Sequence, residues 1–404
     1  MTHYDAIVLG TGGVGSAAAF HLARRGARVL GLDRFPGGHD RGSSHGQTRI
    51  IRQAYFEHAD YVPLLRRAYE LWAELESLAD EKLFHQVGLL QIGPPEGYVI
   101  GGVLSAAKQH GLAVDELSAV ESHARFPGFH VPEGMVGVFE PAAGYLRVER
   151  CVLAHLAAAK QQGAELRTGV TVQSWNADDR NVSVATDQGT FTADKLVITA
   201  GAWAPQLLAD LGIPMTVRRK HLHWFECDNP VYRGANAPTF FYEMPHGLFY
   251  GFPAVDELGV KVAEHSGGET VSDPLTDSRP LEEQDLARVR DFVGEQLPTV
   301  GKLARPTRHE VCFYTMSPDE QFIIDTHPRY KNVVFSAGLS GHGFKFTSVL
   351  GEIMADLALT GTTPQPVGFL RHRFPLPHGL YSRTSPLMSK STSCRNLSSN
   401  RPLK

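Results

Sequence analysis

The order of apolar and polar residues at the start of the chain predicts a strand, a helix and a second strand within 33 residues. Residues 6–9 are a short apolar run of strand type, and residues 14–22 place apolar side chains on one face of a helix. A second apolar run at 29–32 ends at Asp33. This succession is typical of a βαβ unit in a parallel sheet.

The pattern then predicts helices and short strands in alternation. Helical periodicity predicts helices over 61–75, over 99–110 with Gly111 at its end, and over 149–162 with Gly163 at its end. A strand is predicted at 87–92, and a strand with a turn is predicted within 134–145.

From residue 170 the apolar residues alternate with polar ones. Runs at 170–175, 182–186 and 190–193, separated by polar turns, predict an antiparallel meander. A separate, continuous apolar strand at 195–200 ends at Gly201, which indicates that the chain returns to the parallel sheet.

Residues 218–315 are rich in aromatic and β-branched residues, which favour a large, mostly antiparallel sheet with strands at 221–225, 240–242 and 249–252. A charged surface helix is predicted over 282–297. Short strands at 321–325 and 332–335 and a helix over about 346–359 complete the chain.

Three glycine-rich turns, at 10–15, 200–201 and 338–343, each follow an apolar strand. In a parallel sheet these turns would meet at the carboxyl ends of the strands, where ligands bind. We therefore predict an α/β (α+β) fold: a Rossmann-type domain from 1–86, 143–217 and 316–374, and a mostly antiparallel substrate domain from 87–142 and 218–315. A disordered tail is predicted for residues 375–404, because residues 381–404 are rich in serine, contain no acidic residue and have no aromatic residue after Tyr381.

The first of these turns, GTGGVG at 10–15, carries the strongest chemical signal. Gly10 permits a tight turn, Gly12 lets the backbone approach a pyrophosphate, and Gly15 lets the helix pack closely on the strand. Asp33 can accept hydrogen bonds from a ribose diol. The turn therefore predicts binding of an adenine dinucleotide, with a purely structural glycine turn as the alternative.

Composition excludes several classes of function. The 404 residues have 42% apolar and 20% charged residues and a net charge of −4, which argues against nucleic-acid or anionic-membrane partners. No apolar run approaches the roughly 18 residues of a membrane-spanning helix. The four cysteines are widely spaced and include no CxxC pair, so neither a metal site nor a disulfide framework is expected. A cytoplasmic location is the simplest expectation.

Three further motifs narrow the chemistry: SSHGQTRIIR at 43–52, SPDEQFIID at 317–325 and GLSGHGFK at 338–345. With them the chain resembles the family of monomeric sarcosine oxidase and N-methyl-L-tryptophan oxidase, within the D-amino acid oxidase superfamily. The resemblance runs from about residue 4 to residue 374, and the last two motifs are closest to the N-methyltryptophan branch. It implies an FAD cofactor of a monomeric oxidase, joined covalently to a cysteine through the flavin 8α-methyl group.

The resemblance implies that Cys312 is the attachment residue, because it lies just before the SPDE motif. Cys151, Cys227 and Cys394 match no family position and are expected to be ordinary thiols. Arg49 and His45 resemble residues beside the flavin ring, and we expect Arg49 to tune its electron affinity.

The resemblance also implies a substrate site. Arg52 and Lys345 resemble the pair that holds the substrate carboxylate, for which an Arg fork and a Lys point charge are suited. Tyr250 resembles a residue lining the substrate cavity, and Phe241, a predicted substrate contact, aligns with a position that looks like Met in sarcosine oxidase. Without the family pattern, composition favours a core strand aromatic at Tyr250, and Lys345 could equally be a surface lysine at a helix N-terminus.

His265 resembles the active-site histidine, and Lys261 resembles the lysine that promotes reaction of reduced flavin with dioxygen. Strand alternation puts Lys261 and His265 on one face, although spacing alone does not aim them at the flavin. A solvated lysine and a hydrogen-bonded histidine are the alternatives.

The residues expected to bind the cofactor lie on the three turns and on the segments that follow them. They are Gly10, Gly12, Gly13, Val14, Gly15, Asp33, Arg34, Ser43, Ser44, Thr48, Arg49, Val172, Ala200, Gly201, Trp203, Cys312, Gly338, Gly341, His342, Gly343, Phe344 and Lys345.

The function implied is FAD-dependent oxidation of an N-methyl amino acid, N-methyl-L-tryptophan or sarcosine, by dioxygen. Alternatives are a related flavin oxidase of D-amino acids, dimethylglycine or cyclic imino acids, an NAD-dependent dehydrogenase, and a protein that binds FAD without catalysis. Ser44 stands where relatives often carry a second histidine. Phe241, beside Phe240, Tyr242 and Met244, favours a larger substrate side chain.

Overall fold

The computed structural model describes residues 3–234, 237–281, 283–301 and 305–375. The tail predicted at 375–404 lies outside the described residues apart from Pro375, as does Cys394. Within these ranges, no helix is both long enough and apolar enough to cross a bilayer.

One eight-stranded sheet contains the predicted βαβ unit. Its strands, numbered in chain order with all others, are β1 (His3–Leu9), β2 (Val29–Leu32), β9 (Glu165–Arg167), β10 (Val172–Ala177), β11 (Val182–Thr186), β12 (Gly189–Ile198), β19 (Ile323–Thr326) and β20 (Val333–Ala337). Strands β1, β2, β9, β12 and β20 run parallel, in the spatial order β20-β12-β1-β2-β9.

Strand β12 corrects one prediction. The runs at 190–193 and 195–200 were expected as separate strands, but Gly189–Ile198 is a single strand that ends two residues before Ala200. Its first half pairs antiparallel with β11 and its second half pairs parallel with β20, so that one strand closes the meander and enters the parallel sheet.

Eight α-helices lie in the described ranges. They are α1 (Gly13–Arg24), α2 (Val62–Ala79), α3 (Tyr98–His110), α4 (Ala119–Arg125), α5 (Val148–Gln161), α6 (Ala204–Leu207), α7 (Glu283–Gln296) and α8 (Thr347–Thr360). Helix α1 packs on α5 and α8, and a Cβ on Gly351 of α8 would lie 2.3 Å from the Ala17 Cβ. Helix α7 is more than a charged surface helix, because Leu286, Val289 and Phe292 are buried against the second sheet.

A second sheet of nine strands is mostly antiparallel, as predicted. It comprises β5 (Leu89–Gly93), β6 (Asp115–Leu117), β7 (Val136–Glu140), β13 (Thr216–Phe225), β14 (Thr239–Met244), β15 (Gly247–Phe252), β16 (Val260–Glu264), β17 (Thr270–Val271) and β18 (Pro306–Met316). Among its described pairs only β5 and β14 run parallel. Strands β3 (Thr48–Ile51), β4 (Phe84–His85) and β8 (Gly144–Arg147) form a small third sheet.

The topology brings the predicted motifs together. The turns at Gly10, Gly201 and Gly338 follow β1, β12 and β20, whose parallel register places all three turns at one edge of the first sheet. One face of the second sheet carries Phe241 and Cys312 within a single apolar cluster. The functional side chains therefore lie between the edge of one sheet and the face of the other.

The first glycine-rich turn depends on the absence of a side chain at Gly15. A Cβ there would lie 1.8 Å from the Gly10 carbonyl oxygen and 2.6 Å from the Thr199 Oγ1. Gly10 itself has a φ of +84°, in the left-handed region that favours glycine.

We expect a Gly15→Ala substitution to lower the free energy of unfolding by about 1–3 kcal/mol or more, because β1 and α1 must separate. Denaturant unfolding measures the change. Gly101→Ala is the matched control, since no atom would contact its Cβ within helix α3. It should raise stability by up to about 1 kcal/mol. Equal stability of the Gly15 variant and the unsubstituted protein would contradict the close approach.

Candidate active site

A large cavity runs along the three glycine-rich turns. Its empty space, including the part open to solvent, is about 1540 Å³, and it reaches from the turn after β1 to Phe313 on β18. Seventeen of the predicted cofactor residues line it: Gly10, Gly12, Gly13, Val14, Asp33, Arg34, Ser43, Ser44, Arg49, Val172, Ala200, Gly201, Trp203, Gly338, Gly341, Gly343 and Phe344.

The loop after β2 is tied to the first turn and to the second sheet. The Gly13 amide donates to the Ser44 Oγ at 3.1 Å, and the Ser43 Oγ donates to the Phe313 carbonyl at 2.5 Å. The Asp33 carboxylate already accepts hydrogen bonds from the Thr11 amide at 2.7 Å and the Phe35 amide at 2.9 Å. Asp33 thus shapes the turn, and only its remaining lone pairs face the cavity.

The chemistry of the cavity wall fits a long dinucleotide. Several lining residues carry buried polar side-chain atoms without a hydrogen-bond partner among the described residues: Arg34, Trp203, Thr315, Ser336 and Thr347. An unpaired buried polar atom costs about 1–3 kcal/mol, so a polar ligand in the cavity stabilises the site by supplying partners. Gly12, Gly13 and Val14, at the N-terminal end of α1, line the same space, and a helix N-terminus suits a pyrophosphate.

A smaller cavity, of about 500 Å³ including the part open to solvent, adjoins the first one. Arg49, Tyr314, Gly341 and Phe344 line both cavities. The other lining residues are Ile50, Arg52, Glu57, Phe241, Tyr250, His265, His342 and Lys345. His342 and Lys345, predicted to bind the cofactor, therefore face the smaller cavity, because the chain turns through Phe344–Phe346 after the third glycine-rich loop.

Arg52 is buried and held by a carboxylate and two aromatic rings. Its Nη2 donates to the Glu57 Oε2 at 2.5 Å, and its guanidinium carbon lies 4.2 Å and 4.1 Å from the ring centroids of Tyr55 and Phe56. Burial alone would raise the pKa of Glu57, but Arg52 above all lowers it to about 2. Both groups are therefore charged at neutral pH.

Lys345 supplies a second buried cation. Its Nζ donates to the His342 carbonyl at 2.8 Å, and the Trp72 indole N–H donates to the Lys345 carbonyl at 2.9 Å, which fixes the backbone. Burial, together with the nearby positive charge of Arg52, lowers the pKa of Lys345 to about 7. A bound carboxylate would favour its charged form.

His265 lies among aromatic rings at the wall of the smaller cavity. Its Nδ1 is 3.3 Å from the Tyr314 hydroxyl, and its ring lies 6.1 Å from Tyr250 and 5.9 Å from Phe241 between centroids. Burial foremost, and the positive charge of Lys220 next, lower its pKa to about 3. The imidazole is therefore neutral at physiological pH and can accept a proton or a hydrogen bond.

Arg49, at the junction of the two cavities, donates to the backbone carbonyls of Thr48 and Ser43, each at 2.9 Å. Burial would lower its pKa, but the neighbouring Cys312 and Tyr250 groups raise it overall. Arg49 therefore remains a fixed positive charge between the cavities.

Lys261, Thr48 and His45 lie behind the cavity walls. The Lys261 Nζ donates to the Gly46 and Thr48 carbonyls at 2.5 Å and 2.9 Å, and the Thr48 Oγ1 is 3.4 Å from it. Burial, and then the charge of Arg49, lower the pKa of Lys261 well below its ordinary value. The His45 Nδ1 lies 3.1 Å from the Glu310 carboxylate, whereas its Nε2 is buried without a partner among the described residues.

Cys312 is fully buried on β18 and lines neither cavity. It pairs with Lys220 on β13, and the next residues along its strand, Phe313 and Tyr314, line the large cavity. The three described cysteines, Cys151, Cys227 and Cys312, are all buried free thiols.

Comparison with known proteins decides the family. Residues 5–357 match the model of the FAD dependent oxidoreductase family. The chain belongs to this family.

Relatives and solved structures agree with this assignment. Monomeric sarcosine oxidase of Streptomyces avermitilis is 43% identical over 92% of this chain and 97% of its own length. N-methyl-L-tryptophan oxidase of Yersinia pseudotuberculosis is 39% identical over 89% and 96%. The open form of NikD, an unusual amino acid oxidase essential for nikkomycin biosynthesis, superposes with a TM-score of 0.81 at 29% identity, over 92% and 98%.

Within an FAD dependent oxidoreductase, the large cavity is the place that fits FAD. The turn after β1 would hold the pyrophosphate end, and Arg49, Phe313 and Tyr314 would flank the opposite end. Gly15 contributes by close packing rather than by lining the cavity.

Sequence reasoning missed several residues of this site. Tyr314 lies two residues after Cys312 on the same face of β18, and this spacing could have identified Tyr314 as a residue of the site. Glu57 follows Arg52 by five residues, but no periodicity predicts their ion pair. Glu149 accepts from the Gly46 and Gln47 amides at 2.7 Å and 3.0 Å, a contact between distant segments that the pattern could not reveal.

For a Lys345→Met variant we expect acetate binding to lose its pH dependence near pH 7. In the unsubstituted protein, Lys345 is charged below a pH of about 7 and neutral above it, so acetate affinity falls as the pH rises through that value. Arg52 stays charged and supplies the affinity that remains. Calorimetric titration of the FAD-loaded protein with acetate measures this.

Lys331→Met, at an exposed lysine, is the control for that titration and should leave the pH dependence unchanged. The same fall in affinity in the Lys345 variant would contradict the assignment of the titration to Lys345.

Proposed function

We propose that this protein is an FAD-dependent oxidase that demethylates a small N-methyl amino acid. The observation that carries the proposal is the second cavity, in which Arg52 and Lys345 provide two buried cations beside the FAD cavity. The products would be the demethylated amino acid, formaldehyde and hydrogen peroxide, with dioxygen and water consumed. The relatives named sarcosine oxidase and N-methyl-L-tryptophan oxidase support the same chemistry.

The two cations of the smaller cavity would bind the carboxylate of the substrate and favour the neutral form of its amine. Arg52 offers a planar fork and Lys345 a point charge. Their positive charge also lowers the pKa of a bound ammonium group, so the amine loses its proton more readily than in water. The neutral His265 imidazole would hold the amine or accept that proton.

FAD, when bound, supplies the acceptor for the two electrons that leave the N-methyl carbon. Arg49 would favour electron transfer by placing a fixed positive charge between substrate and cofactor. Lys261 and His45 approach this region from the Gly46–Thr48 side, and we propose that Lys261, in its protonated form, assists reaction with dioxygen.

We also propose that FAD is attached covalently through the Cys312 sulfur. Forming the thioether from the thiol and the flavin 8α-methyl group would release two protons and two electrons, which dioxygen would accept. The support for this attachment is the family motif and the position of Cys312 beside two residues that line the FAD cavity. The two-domain division, with boundaries near 87, 143, 218 and 316, and a monomeric cytoplasmic state stay predictions of the sequence.

The wall of the smaller cavity favours a substrate with an apolar side chain. Phe241 lies 5.3 Å from Phe56, whose ring lies 5.3 Å from Tyr98 at the surface. These rings could accept an indole, which favours N-methyl-L-tryptophan over sarcosine. D-amino acids, dimethylglycine and cyclic imino acids are the competing substrates.

Anaerobic mixing of the purified protein with each candidate substrate tests the function. We expect N-methyl-L-tryptophan to bleach the flavin absorption, faster than sarcosine does, and we expect hydrogen peroxide when air is admitted. Reduction by D-amino acids alone would contradict the proposal, as would reduction of the protein by NADH alone.

In a Cys312→Ala variant we expect FAD to be released by acid precipitation, because the thioether sulfur is removed. The unsubstituted protein should retain the yellow colour in the precipitate. Cys227→Ala, which removes another buried thiol, is the matched control and should retain it as well. Retention of flavin in the Cys312 variant would show that another residue carries the bond.

A further inference from the structure

A third buried lysine, Lys220, lies beside Tyr314, which lines both cavities, and has no role in the function derived above. It is 4% exposed on β13, on the sheet face that carries Cys312 and Tyr314. On one side of β13 it pairs with Cys312 of β18. On the other side, β13 pairs with β16 at His223 and Val262 and with β17 at Arg218 and Thr270, so the turn that follows His265 lies between these two paired stretches, beside Lys220.

The Lys220 ammonium group holds the turn that follows His265. Its Nζ donates to the Ser266 carbonyl at 2.5 Å and to the Gly267 carbonyl at 3.3 Å. Gly268 continues this turn with a φ of +97°, and a Cβ there would lie 3.0 Å from the Lys220 Cδ. The turn therefore packs directly on the lysine stem.

Lys220 also contacts the hydrogen-bond partner of His265. Its Nζ lies 5.5 Å from the Tyr314 ring centroid, while the Tyr314 hydroxyl is 3.3 Å from the His265 Nδ1. The nearby Glu264 carboxylate accepts hydrogen bonds from Arg288 at 2.6 Å and from the Ser266 Oγ at 2.8 Å. The ammonium group is thus satisfied by backbone carbonyls, an arrangement that is costly for a buried charge.

We propose that Lys220 is a positioning residue that fixes the His265 imidazole at the wall of the substrate cavity. It anchors the backbone directly after His265 and keeps a positive charge beside the ring, which disfavours a charged imidazole. The inference rests on the proposed function, in which His265 faces the bound amine. Arg52 and Lys345 hold the carboxylate independently, so Lys220 acts on the rate of oxidation rather than on carboxylate binding.

The test compares Lys220→Met and Lys220→Arg with the unsubstituted protein. Met keeps the stem but removes the charge and the N–H donors, and we expect flavin reduction at saturating N-methyl amino acid to slow about tenfold or more, because a small misplacement of a reacting group carries such a penalty. The dissociation constant of acetate, read from the flavin spectrum, should stay within about twofold, since its binding groups are untouched. Arg, which keeps charge and donors, should recover most of the rate.

Three outcomes would overturn this role. The first is an equal reduction rate in Lys220→Met and the unsubstituted protein. The second is a parallel loss of acetate affinity and reduction rate. The third is loss of acid-stable flavin with an unchanged rate, which would show that Lys220 supports the flavin bond at Cys312 instead. If the Met variant fails to fold, Lys220→Gln, whose amide NH₂ group has two N–H donors but no charge, takes its place with the same expected split. Failure of the unsubstituted protein to be reduced would overturn the proposed function itself, whereas equal rates overturn only the role of Lys220.

Discussion

Buried positive charge is the constraint on which the site depends. Arg52, Lys220, Lys261 and Lys345 are all nearly inaccessible to solvent. Arg49, Arg52 and Lys345 line the smaller cavity, whereas Lys220 and Lys261 lie behind the cavity walls. Charges of one sign in a medium of low dielectric constant repel one another and lose their hydration. The fold offsets this with a small number of carboxylates, Glu57 on Arg52 foremost, and with backbone carbonyls on the three lysines. The fold thereby maintains a positive potential where an anionic substrate would bind.

This constraint explains why two sheets of different type are required. The parallel sheet can present three turns at one edge, which suits an elongated dinucleotide. The ends of its strands do not form a broad surface that could serve as the wall of a substrate cavity. The antiparallel sheet supplies that wall, with Phe241 on β14, Tyr250 on β15 and Tyr314 on β18 facing the smaller cavity. Lys261 links the two parts, because it lies on β16 and bonds to carbonyls of the segment that leads into β3.

The sequence predicts those parts of the molecule that depend on local pattern. Apolar strands followed by glycine identify the turns at Gly10, Gly201 and Gly338, because a tight turn at a strand end has a clear local signature. The contacts of Glu149 and the placement of His342 in the smaller cavity were not predicted, since both depend on how distant segments meet. Asp33 is an intermediate case: its position was predicted, but its carboxylate is largely engaged by amides of neighbouring turns, which no motif describes.

The burial of the described cysteines has a consequence for the durability of the protein. An oxidase that releases hydrogen peroxide exposes its own side chains to that oxidant at every turnover. Thiol oxidation requires access and thiolate character, and Cys151 and Cys227, the two described cysteines not proposed to carry FAD, are 5% exposed or less. Burial raises the pKa of Cys151 and Cys227, which keeps these two as thiols. The same packing that builds the core thus shields the catalyst from its own product.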